Sequence, residues 1–119
     1  SPQAAALILH SMTHFGAADP LLYRIVFTRV LQLRPGEMSA WGLSMVISAL
    51  ARCGDADGAL APLRKRVASH IKGCLLEMSV HDFNARDVAI IANGLLRADL
   101  QDRRVYAHLS ELLLRMPPD

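Results

Sequence analysis

Apolar residues along this chain return at three- and four-residue steps and never settle into sustained alternation, which predicts helices and no strands. The first stretch runs from about Pro2 to Phe15, with proline in the first turn, where its missing N–H is harmless, and Gly16 as the stop. Asp19-Pro20 restarts the chain as cap and first turn, and Leu22, Ile25, Val26, Val30 and Leu33 carry a stripe to Pro35-Gly36. Ser39 opens a third helix bearing Leu43, Met45, Val46, Ile47 and Leu50 before Gly54. After a turn at Asp55 to Gly58, a fourth holds Leu60, Leu63, Val67 and Ile71, with Pro62 tolerable only in its first turn and Gly73 as a break or an interruption. Asn84 caps a fifth, Asp87 complements its dipole, and Val88, Ile90, Ile91, Leu95 and Leu96 form the buried stripe. A turn from Asp99 to Asp102 leads to a sixth with Val105, Leu109, Leu112, Leu113 and Met116, which Pro117-Pro118 ends.

Aligned at Ser1, Ser39 and Asn84, 38 and 45 residues apart, the three pairs share columns. The first is apolar (Leu7-Ile8, Met45-Val46, Ile90-Ile91). The second pairs an apolar residue with a cation two places on (Met12/His14, Leu50/Arg52, Leu95/Arg97), and the third is an aspartate that opens the second helix (Asp19, Asp57, Asp102). Such spacings belong to helical-repeat arrays. The expected fold is all-α, an α-solenoid of about three helix-turn-helix repeats, six helices in a right-handed α-α superhelix. Residues 1–119 form a single segment with repeats at about 1–38, 39–83 and 84–119. Neither Ala4 to Leu9 nor Leu109 to Leu114 reads as the polar cap a free-standing solenoid carries, so the segment is expected within a longer solenoid.

Composition supports this picture and narrows the chemistry. Hydrophobic residues are 52% of the chain but aromatics only 5%, the aliphatic mix that closely stacked helices need. No apolar run reaches the roughly 18 residues of a membrane span. Cys53 and Cys74 fit no disulfide framework or zinc motif, and two helix-embedded thiols suit a reducing compartment. The chain begins Ser1-Pro2 without a methionine and offers no presequence to read, so the sequence itself is silent on targeting. His10 and His14 share a helix face at the four-residue spacing of zinc ligands but lack the glutamate and third ligand of a metalloprotease, so an exposed polar edge explains them. His81-Asp82 reads as a loop dipeptide. Cys74 with His70 has the spacing of a nucleophile and base, without an oxyanion hole or orienting carboxylate nearby. Gly16, Gly36, Gly54, Gly58, Gly73 and Gly94 are scattered as punctuation rather than gathered in a phosphate loop, and Trp41 near a helix start reads as a packing anchor. Neither catalysis, cofactor nor small-molecule substrate is expected.

A net charge of +2 says little about partners, but its distribution says more. Between Asp57 and Glu77 there is no acid, while Arg64, Lys65, Arg66 and Lys72 all lie there. With Leu63, Val67 and Ile71 turned inward, these cations fan over the outer helix face, either as a phosphate-contacting cluster or as a solvated surface. Arg103 and Arg104 begin the equivalent helix of the next repeat, where a cation opposes the local dipole and a partner is the better explanation; Arg24 and Arg29 extend the pattern into the first repeat. Arg52 and Arg97 close their helices, for which dipole and capping reasons suffice.

The third repeat, Phe83-Asn84-Ala85-Arg86-Asp87-Val88-Ala89-Ile90-Ile91-Ala92-Asn93-Gly94-Leu95-Leu96-Arg97 followed by Asp102 and Val105-Tyr106-Ala107-His108-Leu109, resembles the octotricopeptide and heptatricopeptide-type helical repeats of organellar RNA-binding proteins. Those repeats also precede RAP domains and form the helical region of FAST-kinase-like proteins. Ser39 to Val67 is similar to a looser copy, best at Ala49-Leu50-Ala51-Arg52, and Ser1 to Leu33 is looser still. The resemblance implies a mitochondrial protein, or alternatively a plastid one, that binds rRNA or an organellar transcript along a helical surface. It also suits a ribosomal or ribonucleoprotein component with protein neighbours. No base-specifying residue is carried over. The competing expectation is a protein–protein scaffold within a large mitochondrial complex, without direct RNA contact.

Overall fold

Side chains at the helix starts explain most of the boundaries. The computed structural model describes Ala4, Leu7, Ile8, Ser11, residues 20–53 and residues 58–117. Within them lie α1 (Pro20–Leu31), α2 (Ala40–Arg52), α3 (Ala61–Glu77), α4 (Ala85–Arg97) and α5 (Arg103–Arg115), and no strand. Ser39 Oγ accepts from the Gly42 N–H at 3.1 Å and opens α2. Asn84 and Asp87 bond each other's backbone N–H at 2.8 and 3.0 Å, a reciprocal capping box at the start of α4. Asp102 caps α5 through the N–H groups of Arg104 and Val105. At α3 an apolar residue, Leu60, occupies the cap with no side-chain bond, and Pro62 sits in the first turn. The expected cap Asp57, the stops Gly16 and Gly54, Asp19 and the helix from about Pro2 to Phe15 fall wholly or mostly outside the described residues. Of that helix only Ala4, Leu7, Ile8 and Ser11 are described, each with helical backbone.

The helices make two layers. In one, α2 packs on α4; in the other, α3 lies between α1 and α5; the pairs α2–α3 and α4–α5 join the layers. Hydrogen bonds set the directions. Arg64, early in α3, donates to the Leu50 carbonyl near the end of α2, so that pair is antiparallel. Arg24 donates to the Ala59 carbonyl just before α3, and His70 within α3 donates from Nε2 to the Leu33 carbonyl just after α1, so α1 and α3 run parallel. His108 makes a like contact 38 residues later, donating from Nε2 to the Met78 carbonyl at 2.8 Å. The two imidazoles, 38 residues apart, each satisfy a carbonyl exposed by the end of the preceding helix.

Between the layers lies a continuous core in which Phe27, Leu43, Ile47, Leu50, Ile71, Leu75, Ile91 and Leu95 are fully buried. The stripes are narrower than the run of apolar residues suggests. In α4, Val88, Ile91 and Leu95 are buried at steps of three and four, while Ile90 and Leu96, expected beside them, are 47% and 57% exposed. At 100° per residue an immediate neighbour leaves the core face. For the same reason Ile25 and Leu113 are exposed, and in α1 the inward positions belong to Tyr23, Val26, Phe27 and Val30. Trp41 also keeps 42% of its surface, so it is less an anchor than a rim residue.

Gly73 neither breaks nor interrupts α3, which runs through it to Glu77. A Cβ built there meets nothing within 4 Å. Gly73→Ala is therefore expected to raise stability by about 0.5–1 kcal/mol, the helical advantage of alanine, read as a higher denaturation midpoint with an unchanged slope.

Candidate nucleic-acid interface

The pairs α2–α3 and α4–α5 turn two kinds of helix end to one side, the C-termini of α2 and α4 and the N-termini of α3 and α5, with α5 starting beside the middle of α3, where Lys72 reaches Asp102. The N-terminus of α1 joins them, held by the Arg24 bond to Ala59. None of α1, α3 and α5 has an acid in its first turn. Cations stand in or just beyond it: Arg24 on α1 and Lys65 and Arg66 on α3 in the second turn, Arg103 and Arg104 on α5 in the first. The positive ends of three parallel helix dipoles add to these charges. The negative ends of α2 and α4, in the other layer, carry Arg52 and Arg97 in their last turns. Two clusters 38 residues apart in sequence thus lie on the same side of the molecule as the two helix-closing arginines, the second offset along α3 toward Lys72. Described acids there are the exposed Asp99, which turns the chain at φ 57°, and Asp102.

The side chains are not equally available. Arg64 is half-buried, its Nη2 lies 2.7 Å from the Leu50 carbonyl, and its Nε is buried with no acceptor among the described residues. It closes the end of α2 rather than fanning outward. Lys72 reaches Asp102 Oδ2 at 3.8 Å and ties the middle of α3 to the cap of α5. Arg104 lies 3.6 Å from Asp102 Oδ1 and stays exposed. Arg29 sits in the last turn of α1, away from this edge, and bonds Gln32 at 3.2 Å. Lys65, Arg66 and Arg103 are exposed and make no hydrogen bond or ion pair among the described residues. With Arg97, likewise exposed and unpaired among the described residues, they are the cations on this side with charge to give to a partner; Arg34 and Arg86, with side chains equally free, lie elsewhere.

Asp102 is the electrostatic pivot of the edge. Burial pushes its carboxyl up, but the N–H groups of Val105 and Arg104 and the cations of Arg104 and Lys72 together outweigh that and hold it below the ordinary carboxylate range. Its titration is lower in the folded than in the unfolded chain. The stability it supplies is therefore complete above the unfolded value near pH 4 and drains away as pH falls through the folded one. Asp102→Asn keeps a capping acceptor and removes the charge. The melting temperature of this variant is expected to vary less with pH below about 4 than that of the parent chain.

Beside the edge, between α2 and α4, lies a groove of about 260 Å³. Ser44, Ser48 and Asn93 supply its polar groups, Met45 and Ile90 its apolar ones, and Arg52 and Arg97 line it where the helices end. No acid lines it. Sequence reading assigned Arg52 and Arg97 to capping alone and passed over Ser44, Ser48 and Asn93, whose only signal was a polar residue on the solvent side of each helix.

His70, Cys74 and Asp82 are each engaged within the fold. His70 is committed to the Leu33 carbonyl, and burial first, then the Glu77 charge, pushes the Cys74 thiol up, away from the thiolate a nucleophile needs. Asp82 accepts from the N–H and hydroxyl of Ser79 and shapes the loop. His10 and His14 lie outside the described residues. Among the described residues no three His, Cys, Asp or Glu gather as metal ligands, and no helix is long and apolar enough to cross a membrane. No family model, curated protein or solved structure matches the chain.

Proposed function

We propose that this chain is a non-enzymatic RNA-binding segment of an α-solenoid, about three helical hairpins in a right-handed superhelix, acting in organellar RNA metabolism or within a ribosomal or other ribonucleoprotein particle. The observation that carries the reading is the set of unpartnered cations Lys65, Arg66 and Arg103 at the N-terminal ends of adjacent, parallel helices without first-turn acids. Phosphates are the anions that such an edge holds in series, with release of counterions as the gain in free energy. The groove between α2 and α4 offers an unstacked base both an apolar wall and hydrogen-bonding groups. The organellar setting rests on the repeat resemblance alone.

Binding of a fluorescein-labelled single-stranded RNA, titrated against salt, tests this. The wild-type chain is expected to bind with a negative slope of log K against log salt. Lys65→Ala, Arg66→Ala and Arg103→Ala together are expected to make it shallower by about 2, at roughly 0.7 per lost phosphate contact. Arg64 is left intact because its removal unpairs the Leu50 carbonyl and disturbs the fold. An unchanged slope removes this edge from the binding site. The scaffold reading also has an observation in its favour: exposed leucines on α4 and α5.

A further inference from the structure

Four helix faces meet along the layers, and two of them repeat elsewhere without a partner. The side of α2 that receives α4 is built from Ser44, Ile47 and Ala51: Ile47 lies against Gly94, and Ser44 and Ala51 line the intervening groove. Forty-five residues on, the same positions of α4 are Ala89, Ala92 and Leu96. They lie on the side turned away from α2, where Leu96 and Ala89 are exposed and Ala92 half-buried. Layer two repeats the relation. The side of α3 toward α5 carries Lys72, which reaches Asp102, followed by Leu75, fully buried, and Leu76, half-buried. Thirty-eight residues on, α5 has Ser110, Leu113 and Leu114, and here Leu113 is 48% and Leu114 81% exposed. Leu96, Leu113 and Leu114 thus sit on the same end of the stack, on two helices that pack together. No charged residue occupies any of these six positions on α4 and α5.

We infer that this end face is a docking surface for a further antiparallel helical hairpin, which packs on α4 and α5 as those two pack on α2 and α3. The occupant follows from continuity with the interface one repeat earlier. Equivalent positions there hold two small residues and one large aliphatic on the first helix and two leucines on the second, and what covers them is a hairpin. A loop or an extended segment would leave unsatisfied backbone groups against the leucines, whereas a hairpin satisfies its own. Small side chains at Ala89 and Ala92 admit a close helix, as Ser44 and Ala51 do for α4. Because Ser110 replaces the charged Lys72, the incoming hairpin needs no acidic cap at the position of Asp102. The inference rests on packing and stands independently of the RNA reading.

A chain with residues 78–117 repeated directly after Arg115 tests it. Arg115 stands 38 residues beyond Glu77, so α5 then continues into the same connection that follows α3. The extended chain is expected to melt in one transition at least about 5 °C above the parent, since the added interface stabilises both neighbours. Leu96→Glu with Leu113→Glu in the first α4–α5 pair is expected to abolish the rise. In the parent the same two changes should move the midpoint by less than about 2 °C, because both side chains already face solvent. An unchanged midpoint, two separate transitions, a failure to fold, or a rise that survives the glutamates overturns the proposal. So does concentration-dependent self-association of the parent that the same glutamates abolish, which would make the occupant a second copy.

Discussion

Leu95→Ala is expected to lower stability by about 2–5 kcal/mol, whereas Leu96→Ala, one residue on, should change it by less than about 0.5 kcal/mol. Leu95 has no exposed surface and lies in the core between the layers, so truncation both removes buried apolar area and leaves a cavity that rigid neighbours cannot fill. Leu96 points to the open end of the stack. Chemical denaturation of the pair checks the difference: the midpoint falls for the first and holds for the second. Equal losses at both positions would mean that α4 is rotated about its axis from the orientation described above.

Gly94→Val is expected to cost about 3 kcal/mol, with Gly94→Ala closer to 1. A Cβ at this position would stand 2.9 Å from Cγ2 of Ile47, on the side where α4 approaches α2. Ile47 is buried and β-branched, so its methyl cannot swing aside without entering the core. For alanine, overpacking of about 1–3 kcal/mol is offset by roughly 1 kcal/mol of better helix propensity. Valine brings more bulk and a smaller compensation. Because Gly94 also lines the groove, both changes should narrow it. The measurement is the unfolding free energy of the two variants in series. A stabilising Gly94→Ala, like that expected for Gly73→Ala, would mean that the helices do not meet there.

These two neighbouring positions show what the sequence could reveal and what it could not. Helix starts were legible because a cap acts within four residues: Ser39, Asn84 with Asp87, and Asp102 all bond the N–H groups their spacing implied. Gly94 read as punctuation because its reason for being small is Ile47, 47 positions away in the chain. Ile90, Leu96 and Leu113 looked buried because apolar residues adjacent in sequence cannot all share a face of a helix, and only the neighbouring helices decide which one goes inward. The basic stretch was visible as composition. Its division was not, since the Leu50 carbonyl and Asp102 that engage Arg64 and Lys72 come from other helices. Arg52 and Arg97 likewise joined the edge only through the parallel packing of α2 on α4.

Ultraviolet crosslinking of the chain to a uniformly labelled single-stranded RNA, followed by mapping of the adducts, tests the central claim most directly. The basic edge predicts adducts clustered on residues 64–66 and 103–104 and on the groove residues of α2 and α4, all competed away by added salt. Adducts confined to residues away from that edge and groove, or none at salt concentrations where the chain is folded, would contradict it.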